Sequence, residues 1–185
     1  MNTQIGIIGP ETKNIQQEIR ENMLKDAATI GKLLAKNAIL ITGGCTGVAQ
    51  SASKAAFEAG GITVGTPGRK RGSATEGTMI EICTPIEIGD YLFAGTLSCD
   101  CIITFPGDAG TLAELAIAYR NKIPLVFLKE YGGNLLPALF RNVPLTYPVS
   151  VANDAAEAAQ IALEIASERV RQAQSLKAQE RRKTQ

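Results

Sequence analysis

The amino-acid sequence predicts an α/β fold in which helices flank a central parallel sheet. Short segments rich in isoleucine, valine and leucine alternate along the chain with longer segments whose apolar residues recur at helical spacing. Strands that alternate with helices in this way pair in parallel through right-handed crossovers. With 185 residues, of which 45% are hydrophobic, the chain has the size and composition of one compact domain.

One amphipathic helix is expected between the first two strands. Residues 5–8 form an isoleucine-rich segment that Gly9 and Pro10 close, which is typical of a strand buried on both faces. The second strand covers residues 38–42, and Asn37 should end the helix before it. Apolar residues recur between the two strands at spacings of three and four, namely Ile15, Ile19, Met23, Ala27, Ile30 and Leu34.

A glycine-rich turn connects the second strand to a second helix. The turn is GGCTG at residues 43–47, and the alanine-rich segment 48–59 follows it. Gly60 and Gly61 suit the end of this helix, because glycine favours the position just after a helix C-terminus. A third strand is predicted at residues 62–64.

The second half of the chain repeats the alternation. Strands are predicted at residues 101–105 and 124–128, with a helix at 112–119 between them. That helix is expected to bury Leu112, Leu115, Ala116 and Tyr119. A C-terminal helix offers Ala156, Ala159, Ile161, Leu163 and Ile165 for packing. The domain should therefore cover residues 1–170, followed by a charged helix end or tail at 171–185.

Composition argues against several classes of protein. A net charge of +1 gives no global field for a polyanion, so nucleic-acid binding is not expected. Since no apolar run approaches the length of a bilayer span, and no leader pattern opens the chain, we expect a cytoplasmic protein without membrane contact. The absence of histidine removes the usual base of serine and cysteine hydrolases and the usual nitrogen ligand of zinc.

The four cysteines, Cys45, Cys83, Cys99 and Cys101, are expected to be reduced thiols. Cys99 and Cys101 are two residues apart in an apparent strand, which would place both thiols on one face. Without a further cysteine pair or any histidine they do not complete a metal site. We therefore expect buried, inert thiols and no metal centre.

Two glycine-rich turns, residues 43–47 and 106–111, each follow a strand and precede a helix. In parallel sheets this junction presents the free N–H groups of a helix N-terminus, which bind phosphate. Neither turn has the lysine of a Walker A loop or the spacing of the dinucleotide fingerprint. Each could hold a phosphate, or could contain glycine for steric reasons alone.

The segments GGCTGVAQSASKAAFEAGG and FPGDAGTLAELAIAYRNKIPLVF resemble the two signature segments of the LOG-like Rossmann superfamily, and within it the molybdenum-cofactor carrier branch. The resemblance implies a single-domain, three-layer Rossmann-like fold that binds a nucleotide and forms a homodimer. The superfamily is also labelled as lysine decarboxylases. That chemistry needs a Schiff-base lysine for pyridoxal phosphate, and no lysine stands out in such a setting.

The resemblance also assigns residues to a phosphate site. The superfamily's Pro-Gly-Gly-x-Gly-Thr loop corresponds to Gly107, Asp108, Ala109, Gly110 and Thr111, with Gly43, Gly44 and Gly47 on the opposite side. Asp108 departs from the pattern by replacing the second glycine. A carboxylate repels a phosphate unless it turns away, binds a cation or accepts from a ligand hydroxyl, so a turn or cap role for Asp108 stays open.

Glu114 is the catalytic candidate that the resemblance supplies. In LOG enzymes the loop continues Gly-Thr-x-Glu-Glu, and the second glutamate acts with an arginine on the N-glycosidic bond of a nucleoside monophosphate. Here Ala113 replaces the first glutamate. The arginine position falls near Tyr91, and residues 82–101 contain no arginine or lysine. Thr111 and Glu114 also fit a capping box, so Glu114 is either a ligand-facing carboxylate or a helix cap.

The loop TPGRKRGSATEG at residues 66–77 carries three adjacent cations, Arg69, Lys70 and Arg71. They form either a solvated surface or a mobile anion clamp near the site.

Together these interpretations favour a homo-oligomeric binding or carrier protein for a phosphorylated small molecule, either the molybdenum cofactor or a nucleotide, with no cofactor required for catalysis. The alternative is a nucleoside 5′-monophosphate phosphoribohydrolase with an altered catalytic set. An interaction module without a ligand is the third reading.

Overall fold

A seven-stranded sheet forms the centre of the fold. The computed structural model describes residues 2–13, 15–68, 70–84, 90–131, 147 and 149–183, and at 90–93 and 183 it describes the backbone. The strands in this part of the chain are β1 (Gln4–Ile8), β2 (Ile39–Thr42), β3 (Thr63–Gly68), β4 (Ile80–Cys83), β5 (Cys101–Thr104), β6 (Leu125–Leu128) and β7 (Val149–Ala152). All pair in parallel, in the order β4-β3-β2-β1-β5-β6-β7. The predicted α/β class is confirmed.

Strand β1 lies at the centre of the sheet, between β2 and β5. Ile5 is in register with Leu40 of β2 on one side and with Cys101 of β5 on the other. The chain builds outward from β1 to β4 and then returns to the far side of β1 with β5. The loops that leave β1 and β5 therefore diverge at the carboxyl edge of the sheet, which leaves a crevice between them.

Helices cover both faces of the sheet. Within the described residues they are α1 (Gln17–Leu34), α2 (Val48–Glu58), α3 (Asp90–Leu97), α4 (Ala109–Arg120) and α5 (Ala155–Lys183). One apolar core joins α1, α2 and α5 to one face, and a second joins α4 to the other. Helices α1 and α2 approach closely because Gly31 has no side chain. A Cβ there would overlap the backbone carbonyl of Ala52.

Helix α2 ends as the glycine pair predicts. Gly60 has a φ of 80°, and its N–H donates to the carbonyl oxygen of Phe57 at 2.9 Å. The N–H of Gly61 donates to the carbonyl oxygen of Ala56, also at 2.9 Å. These are the two hydrogen bonds of a Schellman motif.

Strand β3 is longer than its sequence suggests. It continues from the predicted 62–64 to Gly68, because Gly65 and Gly68 pair with Glu81 and Cys83 of β4. Helix α1 ends at Leu34 rather than at Asn37. The length of β3 comes from pairing with β4, which a local pattern does not contain.

The predicted face of α4 is only partly buried, because Leu115 is buried as expected but Leu112 and Ala116 are not. The helix buries Thr111, Leu115 and Ala118, whereas Leu112 is 43% exposed. Ala116 is exposed and Tyr119 is half-buried. Leu115 and Ala118 both belong to the core on this side of the sheet.

Helix α5 also packs through small residues. Its buried stripe is Ala155, Ala158, Ala159, Ala162 and Ala166, while the predicted Ile161, Leu163 and Ile165 are only partly buried and Ala156 is exposed. Val170 is the last buried side chain among the helix residues whose side chains the structure describes. Among the helices that the structure describes, none combines the length and apolar character needed to cross a membrane.

Cys99 and Cys101 face opposite sides of the sheet, which corrects the prediction of a shared face. Cys99 precedes β5 and belongs to the core around α4, whereas Cys101 belongs to the core around α1 and α2. Burial raises the pKa of the Cys101 thiol to about 12 and also raises the pKa of Cys99. Both thiols are therefore protonated at neutral pH and unreactive.

Candidate functional site

A cavity of about 660 Å³ lies at the carboxyl edge of the sheet. The loops after β1, β2, β3 and β5 contribute to its walls, and α4 begins at one side of it. Its lining consists of residues 7–11, 43–45, 49, 67, 73, 108–111, 113 and 114. The cavity therefore occupies the divergence between β1 and β5, where open parallel sheets bind their ligands.

The glycine turn after β2 places two of its three predicted residues at the cavity. Gly43 and Gly44 line it, and the N–H of Gly44 donates to the hydroxyl of Thr42 at 3.2 Å. Gly47 is not in the lining. With a φ of 86° it packs against the loop after β1, where a Cβ would overlap the carbonyl oxygen of Pro10. Gly47 thus shapes the turn without facing the cavity.

The turn after β5 also contains residues that line the cavity and a glycine that packs behind them. Asp108, Ala109, Gly110 and Thr111 line the cavity. Gly107 lies behind them, where a Cβ would overlap the hydroxyl of Thr111.

Asp108 is the N-cap of α4. Its Oδ1 accepts a hydrogen bond from the N–H of Gly110 at 3.1 Å. This contact satisfies one of the free N–H groups at the helix start. The cap role that the sequence left open for Asp108 is therefore present in the structure.

Glu114 does not belong to a capping box. Because α4 begins at Ala109, Glu114 lies in the second turn of the helix and faces the cavity. Burial raises the pKa of Glu114 to about 7, and the negative charge of Asp108 adds to this increase. A large fraction of Glu114 is consequently neutral at physiological pH.

The charged groups that line the described part of the cavity are all acidic. Glu11 joins Asp108 and Glu114, and no lysine or arginine of the described residues is in the lining. Burial raises the pKa of Cys45, and the charges of Glu114 and Glu11 raise it further. Cys45 is thus a neutral thiol.

The predicted cation cluster does not line the cavity where the structure describes it. Lys70 and Arg71 are exposed, and Arg69 lies outside the described residues. Ser73 of the same loop does reach the cavity. The backbone at Tyr91, where an arginine was looked for, belongs to α3, and the side chain there is outside the described part of the chain. Among the described residues, no group of three or more histidine, cysteine or carboxylate side chains could hold a metal.

Sequence reasoning missed Glu11 and Ser73. Each follows a strand, as the glycine turns do, but neither sits in a recognisable motif. Glu11 could have been identified from its position in the sequence, because Gly9 and Pro10 mark the end of β1 and Glu11 comes next. Residues just beyond the carboxyl ends of central parallel strands are site candidates whatever their type.

The parallel sheet, the helices on both faces and the cavity at the carboxyl edge define a Rossmann-like α/β domain. The model of the SLOG cluster4 family matches residues 2–169. The chain therefore belongs to this family, and the predicted resemblance to LOG-like proteins is confirmed.

Proteins of known sequence or structure resemble most of the chain. An uncharacterized protein of Archaeoglobus fulgidus is 32% identical over 127 residues, which are 68% of this chain and 80% of the relative. The molybdenum cofactor binding protein of Rippkaea orientalis is 28% identical with a TM-score of 0.72, over 87% of this chain and 95% of that one. The molybdenum cofactor carrier protein of Chlamydomonas reinhardtii is 30% identical with a TM-score of 0.72, over 89% and 98%.

Proposed function

We propose that the protein binds or carries a phosphorylated small molecule, the molybdenum cofactor or a nucleoside 5′-monophosphate, in the cavity between β1 and β5. We also propose that it acts in the cytoplasm as a homo-oligomer. The observation that carries the proposal is the cavity itself, which combines a volume suited to such a ligand with the N-terminus of α4 at its wall. The structural neighbours that bind or carry the molybdenum cofactor support it.

Two glycines of the lining have no internal reason to be glycine. A Cβ at Gly43 would meet Cys45 Sγ at 3.5 Å, and a Cβ at Gly110 would meet Asp108 Oδ1 at 3.5 Å, which are ordinary contacts. Neither residue has a positive φ. Glycine at these positions keeps the backbone accessible, as close approach of a phosphate to main-chain N–H groups requires.

The start of α4 supplies the attraction for an anion. Its first-turn N–H groups have no acceptor within the helix, and the positive end of the helix dipole points the same way. Asp108 occupies the N–H of Gly110. The neighbouring N–H groups of Ala109 and Thr111 are the candidates for phosphate oxygens.

The acidic lining suits a ligand that also carries hydrogen-bonding ring atoms. A protonated Glu114 donates one hydrogen bond and accepts another, so it can pair with a phosphate oxygen or with a heterocycle such as a pterin or purine. An ionised Glu114 would repel the phosphate. Because the pKa of Glu114 is increased, the protonated side chain is populated near neutral pH.

Calorimetry with a panel of purine and pyrimidine 5′-monophosphates, and with molybdenum cofactor released from a molybdenum enzyme, tests the proposal. The variant Gly110→Ala adds one methyl group to the cavity wall and should weaken binding by about tenfold or more. Ala116→Ser adds one heavy atom on the exposed side of the same helix and serves as the control. If folded wild type binds none of these ligands, or if Gly110→Ala binds as tightly as wild type, the proposal is wrong.

The role of the cations stays a prediction. Ser73 lines the cavity and belongs to the same loop as Lys70 and Arg71, which is what supports a clamp. Replacement of Arg69, Lys70 and Arg71 by alanine should weaken binding of every phosphorylated ligand, most strongly at low salt. If the triple alanine variant binds every phosphorylated ligand as tightly as wild type does, the clamp is rejected.

One observation favours phosphoribohydrolase activity as the second candidate. A carboxyl group with a pKa of about 7 inside a cavity matches the requirement for general acid catalysis near neutral pH. Release of free base from the same nucleotides, abolished in Glu114→Ala, would make the protein an enzyme. Binding without base release would leave the carrier function.

A further inference from the structure

The loop between β3 and β4 is fixed to the glycine turn that follows β2. The N–H of Thr75 donates to the carbonyl oxygen of Gly44 at 2.9 Å, and the hydroxyl of Thr75 donates to the carbonyl oxygen of Cys45 at 3.3 Å. Gly44 and Cys45 both line the cavity, and so does Ser73 of the loop. The loop is therefore a wall of the cavity that shares hydrogen bonds with the neighbouring wall.

Glu81 of β4 holds the same loop from the other side. The N–H of Gly72 donates to Glu81 Oε2 at 2.6 Å, and the N–H of Ala74 donates to Glu81 Oε1 at 2.7 Å. The two donors flank Ser73, so one carboxylate fixes the backbone on both sides of the residue that reaches the cavity. Glu81 itself is not part of the lining.

The charge of Glu81 strengthens this attachment. The hydrogen bonds from Gly72 and Ala74 lower the pKa of Glu81, and the positive charge of Arg71 contributes a smaller decrease. The carboxylate is thus ionised throughout the neutral range, and hydrogen bonds to an ionised acceptor are short and comparatively strong.

We propose that Glu81 is a positioning residue for the cavity: through Gly72 and Ala74 it holds Ser73 at the wall and Thr75 on the glycine turn, so that a phosphorylated ligand meets a wall already in place. The ligand in this statement rests on the proposed function. The attachment of the loop does not rest on the proposed function, and it can be measured in the absence of any ligand.

Hydrogen–deuterium exchange tests the attachment without any ligand. In Glu81→Gln, the amide side chain cannot accept both hydrogen bonds, so backbone exchange should become about threefold faster or more in residues 70–76 and also in residues 43–47. Glu76→Gln is the matched control, because Glu76 is an exposed carboxylate of the same loop that pairs with Lys54 at 3.1 Å. Unchanged exchange in both segments of Glu81→Gln would overturn the proposal.

Binding tests the consequence for the cavity, with AMP, GMP and inorganic phosphate as the probes. Glu81→Gln should raise the Kd of the probe that binds wild type by about three- to tenfold, and Glu76→Gln should leave it unchanged. Glu81→Asp keeps the charge but shortens the side chain, so its Kd should lie between the Kd of wild type and that of Glu81→Gln. An unchanged Kd in Glu81→Gln would overturn the proposal.

A double-mutant cycle separates positioning from a general loss of structure. If Glu81 acts through Ser73, Glu81→Gln combined with Ser73→Ala should weaken binding no more than the stronger single variant, whereas independent effects would multiply. Multiplied effects would contradict the proposal. If wild type binds none of the probes, the nucleotide form of the proposed function fails, and the exchange experiment still decides whether Glu81 holds the loop.

Discussion

The two glycine turns look alike in sequence, and each contains a glycine that packs and a glycine that lines the cavity, but different contacts fix their backbones. In the turn after β2, Gly47 is required by the backbone, because its φ is 86° and the carbonyl of Pro10 occupies the space a side chain would need. In the turn after β5, neither glycine has a positive φ; Gly107 leaves room for the hydroxyl of Thr111, and Asp108 caps α4 through Gly110. Gly43 and Gly110, where a Cβ would make only ordinary contacts, are the glycines that leave room in the cavity.

This contrast separates glycines that build a turn from glycines that expose its backbone. A positive φ or a close neighbour identifies the first kind, and ordinary φ with open space at a cavity wall identifies the second. The superfamily resemblance treats both kinds as one motif. Substitutions should therefore divide the motif into residues that matter for stability and residues that matter for binding.

The largest effect is expected for Gly47→Ala. The added methyl group would overlap backbone atoms while φ is strained, so we expect a loss of about 3 kcal/mol or more in the free energy of unfolding. Gly60→Ala is the control, because Gly60 has a similar φ of 80° but no atom within 4 Å of the added methyl group. Strain alone should cost about 1 kcal/mol there. Equal losses in urea denaturation would show that the contact with Pro10 is not important.

The next effect concerns Glu114→Gln and depends on pH. The pKa of Glu114 rises from 4.5 to about 7 on folding, so the folded state binds the proton more tightly than the unfolded state. Relative to the variant, wild type should lose about 3 kcal/mol of stability as the pH rises from 4.5 to 8, and the loss should level off once the pH has passed the folded pKa. Denaturation of both proteins at pH 4.5 and pH 8 measures this. If wild type and Glu114→Gln differ by the same free energy of unfolding at both pH values, the prediction is contradicted.

A smaller loss is expected when the cap of α4 is removed. Asp108→Ala should cost about 1 kcal/mol, because the N–H of Gly110 loses its acceptor. Asp108→Asn keeps an acceptor and removes the same charge near Glu114, which makes it the matched control. Thermal unfolding of the two variants should place the asparagine variant closer to wild type, and the reverse order would argue against a capping role.

The smallest effect on stability is expected for Gly43→Ala. The added methyl group meets Cys45 Sγ at a normal distance, so the free energy of unfolding should change by less than about 0.5 kcal/mol. Affinity for the ligand should nevertheless fall, as for Gly110→Ala. A large loss of stability would assign Gly43 to the turn-building kind of glycine.

The central strands could be predicted from sequence because they are buried on both faces and form continuous apolar runs, as β1 and β5 do. Strand β4 was not predicted. It lies at an edge of the sheet with Ile80, Ile82 and Cys83 exposed, so its residues carry no burial pattern. Its place depends on pairing with β3, which is information from tertiary structure.

The site was partly predictable for a similar reason. The sequence identified Gly43, Gly44, Glu114 and residues 108–111, which all line the cavity. It could not exclude Gly47 and Gly107, since a motif does not show which way a glycine faces. Glu11 and Ser73 come to the site because β1 lies beside β5 and β3 beside β2, an order that no local pattern encodes.

The strand order also has a consequence for how the molecule folds and how it responds to a ligand. The cavity collects segments from four distant parts of the chain, around residues 7–11, 43–49, 67–73 and 108–114. Such a site requires these sequence-distant strands to have paired, and pairings of this kind are the slow, entropically costly ones in folding. A molecule bound there contacts both halves of the sheet, so its binding energy adds to the free energy of global unfolding rather than to the rigidity of a single loop.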